Sequence, residues 1–155
     1  DCKILSGTVI GGDGFEFKRF PDGNILNVNH CGWTIIGNDV IIKSNTCIDK
    51  ALYPWDITLI SDHCRLDNLI HIAHGVKLLN SVFMAAGVST GGRTIFGKNV
   101  WVGVGATVSN ALTVGNNARI NIGAVVTKNV EDNASVSGNF AISHDKYIQF
   151  IKTIR

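Results

Sequence analysis

The chain has 155 residues, of which 45% are hydrophobic and 17% are charged, with a formal net charge of +2. This length predicts one domain, and the near-neutral charge without a basic, aromatic-rich stripe argues against a nucleic-acid partner. No apolar run is long enough to cross a bilayer, so we expect no membrane span, and 17 Gly against 2 Pro favours a turn-dense all-β fold.

Residues 1–12 look like the end of an earlier coil, and residues 13–33 interrupt it. Pro21 to Gly23 is a turn signal, because Pro fixes φ and Gly accepts positive φ. The segments on either side, 15–20 and 24–28, are expected to pair as a hairpin. A long insertion in a compact repeat is often functional, although it can also be a decorative surface loop. Its Phe, Trp and His residues favour a functional loop.

Apolar residues at regular spacing resume over 36–48, and residues 51–56 interrupt them again. Pro54 stands where an inward-facing residue is expected, and proline cannot donate to a strand ladder. We therefore predict a second, smaller bulge there.

From Ile60 to Glu131 the chain has a period of six. Eleven of twelve residues at this spacing are apolar, and Thr90 is the exception. The residues four places after each of them are small or branched, and none is charged. The first set is Ile60, Leu66, Ile72, Leu78, Met84, Thr90, Phe96, Val102, Val108, Val114, Ile120 and Val126.

A six-residue period excludes amphipathic helices and ordinary hairpin sheets, because it is neither 3.6 nor 2. It is typical of hexapeptide-repeat β-solenoids, in which each hexad is a short strand and a corner. Stacked coils pair as parallel strands, so that each buries the edge of its neighbour. We predict a solenoid domain over 1–131, with the inserted loop at 13–33.

The period fades after Val130, and residues 132–155 are predicted to form a C-terminal loop and a capping helix. Residues 132–142 are loop-like. Ser143 is a reasonable N-cap, Asp145 suits a first helical turn, and apolar residues follow at helical spacing. A helix there would cover the open end of the solenoid.

The cysteines form no CxxC pair, which favours reduced thiols in a cytoplasmic protein. No metal site is expected. Zinc needs three or four placed ligands, and His71 and His74 are three apart across a corner, so they need not converge. His74 itself is at a corner, where its side chain should point outward, and imidazole is well suited to accept a proton near neutral pH. A lone surface histidine is nevertheless more often inert.

The segments around His74 and before it resemble those of a known family, the UDP-3-O-(3-hydroxyacyl)glucosamine N-acyltransferases of lipid A synthesis. The resemblance covers about residues 8–110, and its most specific element ends in Ile72-Ala73-His74. The matching segments, in chain order, are 11–15, 36–40, 48–49 and 66–74.

The resemblance implies a left-handed parallel β-helix with three hexads per coil, assembled as a homotrimer with active sites between subunits. It gives His74 the role of catalytic general base, which would deprotonate the attacking sugar amine. An acceptor site is expected around it, because aromatic faces and carboxylates suit an amino sugar. The candidate acceptor-binding residues are Asp13, Phe15, Phe17, His30, Asp67 and Asn68; for Asp67 and Asn68, hydrogen bonding within the corner is the stronger alternative.

Three departures from the family stand out. No segment of this sequence matches the family's N-terminal uridine-binding domain, the segment 52–55 looks longer than its counterpart in the family, and a later family histidine has no counterpart over 109–112. The C-terminal half is instead similar to acetyl-CoA-dependent sugar acetyltransferases, in which the pantetheine arm runs beside small corner residues. The candidate acyl-donor residues are Gly105, Ala106, Gly123, Ala124, Arg119 and Lys128, with the last two meeting the CoA phosphates.

From these features we expect a bacterial acyltransferase that moves an acetyl or short acyl group from CoA to an amino group of a nucleotide-linked sugar in surface polysaccharide synthesis. No bound cofactor is expected, since the acyl thioester is a co-substrate. One alternative is the acyl-carrier-protein-dependent N-acyltransferase of lipid A, that is, lipopolysaccharide, synthesis. The other is a non-catalytic trimeric scaffold, because a repeat specifies shape and not activity.

Overall fold

The computed structural model describes residues 1–138 and 141–154, in which short strands are followed by one helix. The strands are β1 (Lys3–Ile4), β2 (Val9–Gly12), β3 (Phe17–Arg19), β4 (Ile25–Asn27), β5 (Trp33–Ile36), β6 (Ile41–Ile42), β7 (Cys47–Asp49), β8 (Ile57–Ile60), β9 (Arg65–Leu66) and β10 (His71–Ile72). They continue as β11 (Lys77–Leu78), β12 (Phe83–Met84), β13 (Ser89–Thr90), β14 (Ile95–Phe96), β15 (Trp101–Val102), β16 (Thr107–Val108), β17 (Thr113–Val114), β18 (Arg119–Ile120), β19 (Val125–Val126) and β20 (Ser135–Val136). The helix α1 is His144–Thr153.

The strands form three parallel sheets and one separate hairpin. The first sheet has the order β1-β6-β9-β12-β15-β18-β20, the second β19-β16-β13-β10-β7-β2, and the third β17-β14-β11-β8-β5. Each coil passes through the first, second and third sheet in turn. Lys77 pairs with Ile95, and Phe83 pairs with Trp101, so that one regular coil takes 18 residues, or three hexads.

The predicted inward positions fill the core. All twelve residues spaced by six from Ile60 to Val126 are buried, with exposed fractions of 0 to 6%. In the second predicted set, Leu112 is partly buried and the others are buried. The narrow triangular cross-section explains the pattern, since each hexad has only two positions that face inward.

Both predicted interruptions are present, and both leave the solenoid between the second and third sheets. The first follows β2 and contains the β3–β4 hairpin, in which Phe17 pairs with Asn27 and Gly23 has φ of 88°. The second follows β7. There Cys47 pairs with His71, 24 positions on, which is six more than a regular coil.

The C-terminal segment departs from the regular coil. Arg119 pairs with Ser135, only 16 positions on, and β20 extends the first sheet to Val136, past position 131. The shortened coil explains why the six-residue period fades there. Of the predicted loop over 132–142, residues 139 and 140 lie outside the described residues.

The predicted helix forms as α1, but it buries none of its described residues. Ser143 precedes it without a side-chain capping hydrogen bond, and Asp145 is in its first turn as expected. Tyr147, Phe150 and Ile154 are each at least half exposed. The capping role of this helix stays a prediction.

Candidate active site

The candidate site lies where His74 and the two insertions meet. His74 follows β10 and precedes β11, so it occupies a corner between the second and third sheets. Both insertions leave from this same edge in the preceding coils. We call this edge, which comprises residues 73–76 and the corners stacked on them, the His74 corner. Stacking therefore brings together segments that are far apart in the sequence.

Two buried threonines fix the backbone on each side of His74. Ala73 N donates to Thr90 Oγ1 at 3.2 Å, and Gly75 N donates to Thr58 Oγ1 at 2.8 Å. Arg93 N donates to the His74 carbonyl at 2.9 Å. Thr90 is the single polar residue among the twelve inward positions. The hydrogen bond that its hydroxyl accepts from Ala73 N gives a physical reason for a polar residue there. The polar exception in the repeat thus marks the corner that carries His74.

The two ring nitrogens of His74 face different surroundings. A Cβ built on Gly14 would lie 3.0 Å from both His74 Nδ1 and His30 Nε2 and 3.1 Å from Asp49 Oδ2. A Cβ built on Gly92 would lie 2.6 Å from His74 Nε2. Nδ1 therefore faces a polar cluster under the inserted loop, whereas Nε2 faces Gly92. The imidazole fits between two positions where a larger residue would displace it.

The surroundings keep the His74 imidazole neutral. Burial lowers its pKa below 6.5, and the positive charges of His30 and Arg93 lower it further, while Glu16 and Asp49 oppose the shift. A neutral imidazole has a free lone pair to accept a proton. At neutral pH, His74 therefore has the protonation state that a general base requires.

Asp49 is the carboxylate at the centre of this cluster. Burial raises its pKa, while the nearby His71, His30 and His74 lower it. Its Oδ2 atom lies 3.7 Å from His71 Nε2. The Asp49 carboxylate therefore lies among three imidazoles, one of which is that of His74.

A cleft of about 360 Å³ opens over His74 at this corner. Its size suits part of a sugar or a short segment of a larger ligand, and its lining combines charged, amide and aromatic groups. It is lined by Glu16, Leu52, Tyr53, His74, Gly92, Arg93, Asn110 and Ala111.

Of the predicted acceptor residues in the inserted loop, His30 lies closest to His74. Its ring is 4% exposed, has no hydrogen-bond partner among the described residues, and stacks edge-on against His74 at 5.5 Å between centroids. Asp13 pairs with Lys50 at 2.9 Å, which lowers its pKa, and contributes negative charge near Asp49. Phe15 and Phe17 pack edge-on at 4.9 Å on the hairpin, and line a separate cleft.

Asp67 and Asn68 lie on a different corner, between the first and second sheets. Asp67 Oδ1 accepts hydrogen bonds from Asn68 N and Nδ2, each at 2.9 Å, and lies 3.2 Å from Lys43 Nζ. Asn68 Oδ1 accepts from Ser44 N at 3.1 Å. These polar groups are used within the stacked corners, as the hydrogen-bonding alternative predicted, and they do not line the cleft over His74.

The predicted acyl-donor residues do not come together in one place. Gly105, Ala106, Gly123 and Ala124 occupy the edge between the first and second sheets. Lys128 is on the His74 corner, three coils beyond His74, and shares a small cleft with Ala124. Arg119 projects from the first sheet, with its guanidinium 5.4 Å from the centroid of Trp101. Gly105 has φ of 65°, which favours glycine there whether or not a ligand approaches.

Several residues of the site were not proposed from the sequence, although two signals pointed to their location. Asp49, Glu16, Tyr53, Gly92 and Arg93 all approach His74 or its cleft. The signals were the polar Thr90 and the fact that both insertions follow strands of the second sheet. One coil of 18 residues back from His74 is position 56, at the end of the second insertion, whereas the first insertion is brought to the same edge only through the 38-residue interval between Val9 and Cys47.

The described residues contain neither a metal-binding cluster nor a membrane-spanning helix. No group of three or more His, Cys, Asp or Glu residues is arranged to hold a metal ion in the segments 1–138 and 141–154. No helix in that same part of the chain has the length and apolar character needed to cross a bilayer.

Comparison with other proteins identifies relatives by sequence. A UDP-3-O-acylglucosamine N-acyltransferase of Legionella pneumophila strain Philadelphia 1 is 42% identical over 153 residues, which are 97% of this chain and 44% of the relative. The UDP-3-O-acylglucosamine N-acyltransferase of Delftia acidovorans is 35% identical over 140 residues, 90% of this chain and 41% of the relative. The chain thus spans less than half the length of these relatives. No protein-family model matches it.

Comparison with solved structures supports the fold. The UDP-N-acetylglucosamine O-acyltransferase (LpxA) of Moraxella catarrhalis superposes with a TM-score of 0.79 at 19% identity, over 99% of this chain and 61% of that chain. At this identity the likeness concerns the fold alone, and it confirms the predicted left-handed parallel β-helix. By fold and by sequence, the chain is a hexapeptide-repeat β-helix that resembles the UDP-3-O-acylglucosamine N-acyltransferases over nearly its whole length.

Proposed function

We propose that this protein transfers an acyl group from a thioester to the amino group of a UDP-linked 3-O-acylglucosamine. The observation that carries the proposal is the neutral His74, whose Nε2 faces Gly92 in a cleft that is open to a ligand. The names of the relatives support this acceptor, the lipid A alternative, better than the acetyl-CoA-dependent reaction that the C-terminal half of the sequence favoured.

In the proposed reaction, the acceptor amine attacks the thioester carbonyl and His74 Nε2 takes the proton that the amine loses. A carbon–nitrogen bond forms, and the carbonyl oxygen carries negative charge in the tetrahedral intermediate. Collapse of the intermediate breaks the carbon–sulfur bond, and the leaving thiolate takes the proton from His74. The products are an amide and a free thiol, and His74 returns to its neutral form.

Asn110 is the amide side chain on the opposite side of the cleft from the insertions. It occupies the turn in which the family histidine noted above has no counterpart, and its donors are neutral at every pH. Backbone N–H groups and amide donors of this kind suit a developing oxyanion. Because its amide can donate to a developing oxyanion, we assign Asn110 to the part of the cleft that holds the thioester carbonyl.

A single product analysis tests the proposal and separates its alternatives. The protein is incubated with UDP-3-O-acylglucosamine and either a 3-hydroxyacyl-loaded acyl carrier protein or acetyl-CoA, and the amide is detected by mass spectrometry. We expect amide formation with the carrier protein as donor. Product with acetyl-CoA alone would support the acetyltransferase. Absence of product with both donors would favour the non-catalytic scaffold.

The homotrimer and the cytoplasmic location belong to the same proposal. Support for assembly comes from the hairpin, where Phe15 is 86% exposed and Ile25 is 62% exposed, which is unusual for large apolar side chains unless a partner covers them. Light scattering coupled to size-exclusion chromatography should give three times the chain mass. A monomer at assay concentrations would contradict this part.

A further inference from the structure

The second insertion presents a tryptophan to solvent, stacked on Tyr53, which lines the cleft. Trp55 is 80% exposed, and one face of its indole stacks on Tyr53 with the rings 5.1 Å apart and nearly parallel. An exposed indole is costly in water, since much of its apolar area stays hydrated. The stack leaves the remaining surface of Trp55 available to a ligand.

The loop that carries this stack is held in place by backbone hydrogen bonds. Asp56 N donates to the Tyr53 carbonyl at 2.9 Å, closing a turn around Trp55, and Cys31 N donates to the Leu52 carbonyl at 2.9 Å. Trp33 Nε1 donates to the Pro54 carbonyl at 3.3 Å. The first insertion and β5 therefore fix the second insertion from one side. Trp55 is thus presented on an ordered turn and not on a loose loop.

A cation adjoins the aromatic stack and the cleft. The guanidinium of Arg93 lies 5.3 Å from the centroid of the Tyr53 ring, and both residues line the cleft over His74. Stacking on an aromatic face holds a guanidinium in one orientation while leaving its N–H donors exposed. None of the ion pairs formed by the described residues includes Arg93. This cation is therefore free to pair with an anion.

From this arrangement we infer that Trp55, Tyr53 and Arg93 form a subsite for the phosphate-bearing end of an amino sugar. The C–H face of the pyranose stacks on the Trp55 indole, because its partly positive hydrogens meet the negative face of the ring. The anomeric phosphate accepts hydrogen bonds from Arg93, as phosphate oxygens do from a guanidinium fork. Glu16, on the hairpin side of the cleft, faces the amine, and His74 lies within the same cleft.

This inference rests on the proposed function for its choice of an amino sugar as ligand. It adds the recognition of the anomeric phosphate and assigns it to the second insertion. The sugar would then be bound by residues of four successive coils, with the phosphate at Arg93 and the amine toward Glu16 and His74. The Phe15–Phe17 pair has no part in this subsite, because it lines a different cleft.

The chain offers matched control substitutions for Trp55 and Arg93. Trp101 and Arg119 lie outside the cleft on the first sheet, where the Arg119 guanidinium is 5.4 Å from the centroid of the Trp101 ring. The variants Trp55→Leu and Arg93→Gln are compared with Trp101→Leu and Arg119→Gln. Each cleft variant and its control lose the same chemical group, an indole or a guanidinium. A difference in binding between them therefore reports the position of the group and not its loss in general.

The test is titration of the protein with glucosamine 1-phosphate, glucosamine and uridine monophosphate, followed by the indole ¹H–¹⁵N NMR signals and by the backbone amide signal of Gly92, which lines the cleft and is present in every variant. We expect glucosamine 1-phosphate to shift the Trp55 signal and leave the Trp101 signal in place. Trp55→Leu and Arg93→Gln should each weaken binding by about tenfold or more, whereas the control variants should bind as the unmodified protein does. Arg93→Gln should also remove the preference for glucosamine 1-phosphate over glucosamine.

Unchanged binding in both cleft variants, no binding of glucosamine 1-phosphate, or a Trp55 response to uridine monophosphate in its place would overturn the inference. Acyl transfer is not part of this readout. If the sugar phosphate binds as described but no amide forms with any donor, the proposed function fails and the subsite stands. If amide forms but the cleft variants bind normally, the subsite fails and the proposed function stands.

Discussion

Gly92→Ala is expected to remove activity while leaving the fold intact. A Cβ on Gly92 would lie 2.6 Å from Nε2 and 2.7 Å from Cε1 of His74, whereas ordinary contacts begin at 3.4 Å. The imidazole must therefore move by most of an ångström, away from the position from which it would take the acceptor proton. Misplacement of about 1 Å costs on the order of 100-fold in rate, so we expect kcat to fall by about that factor.

The stability of this variant should change little, because the atom that yields is the end of a side chain. Gly92 is not in the left-handed region of φ, so alanine is compatible with its backbone, and the free energy of unfolding should stay within about 1 kcal/mol of the unmodified protein. Gly97→Ala is the control. Its Cβ would lie 2.7 Å from the backbone nitrogen of Asn116, at another corner, and backbone cannot swing aside.

The two variants should therefore have opposite effects. Gly97→Ala is expected to lose about 1–3 kcal/mol of stability and to keep its kcat when folded. Urea unfolding measures the first quantity, and steady-state amide formation measures the second. If folded Gly92→Ala retained kcat within about threefold of the unmodified protein, the position of Nε2 would not matter as argued, and the assignment of His74 as base would lose its geometric support.

Three other changes test separate parts of the account. Thr90→Val removes the hydroxyl that accepts the hydrogen bond of Ala73 N, and should cost about 1–3 kcal/mol in urea unfolding together with a loss of activity; unchanged stability would contradict the anchoring role. Asp49→Asn removes a negative charge that raises the pKa of His74, so this pKa, followed by NMR, should fall, and a rise would contradict the described cluster. Hydrogen bonds from Arg65 and His63 lower the pKa of Asp39 from 3.8 to about 2. Because the pKa of Asp39 is lower in the folded protein than in the unfolded chain, the ionised carboxylate stabilises the fold above pH 3.8, and this stabilisation is lost as the pH falls toward 2. The difference in stability between the unmodified protein and Asp39→Asn should therefore disappear between these pH values. A difference that persists at pH 2 would refute the pairing of Asp39 with Arg65 and His63.

The sequence predicted the solenoid and its core because each inward residue repeats at a fixed interval. It also predicted the hairpin, since Pro21 to Gly23 has the chemistry of one kind of turn. It did not predict that Asp49, Glu16 and Arg93 surround His74. Those contacts depend on which corners stack on one another, and the two insertions shift the count between them.

The predicted acyl-donor residues lie apart in the structure, because the sequence does not show which corners stack on one another. A six-residue period shows that Gly105 and Lys128 are at corners, but the coil has three corners, and only the 18-residue register assigns each to an edge. Small residues at a corner are also required by the backbone, as the positive φ of Gly105 illustrates. Composition alone therefore could not separate a ligand-binding corner from a tight one. The His30 ring, by contrast, lies 5.5 Å from that of His74, because its insertion returns to the solenoid beside the His74 corner.

The most direct test of the central claim is the rate of amide formation by His74→Ala, measured beside the unmodified protein with UDP-3-O-acylglucosamine and the donor that supports transfer. Removal of a general base costs about 100- to 10,000-fold in rate, so we predict a fall in kcat of that size with an unchanged circular dichroism spectrum and unfolding midpoint. A folded His74→Ala protein that forms amide at the unmodified rate would contradict the account.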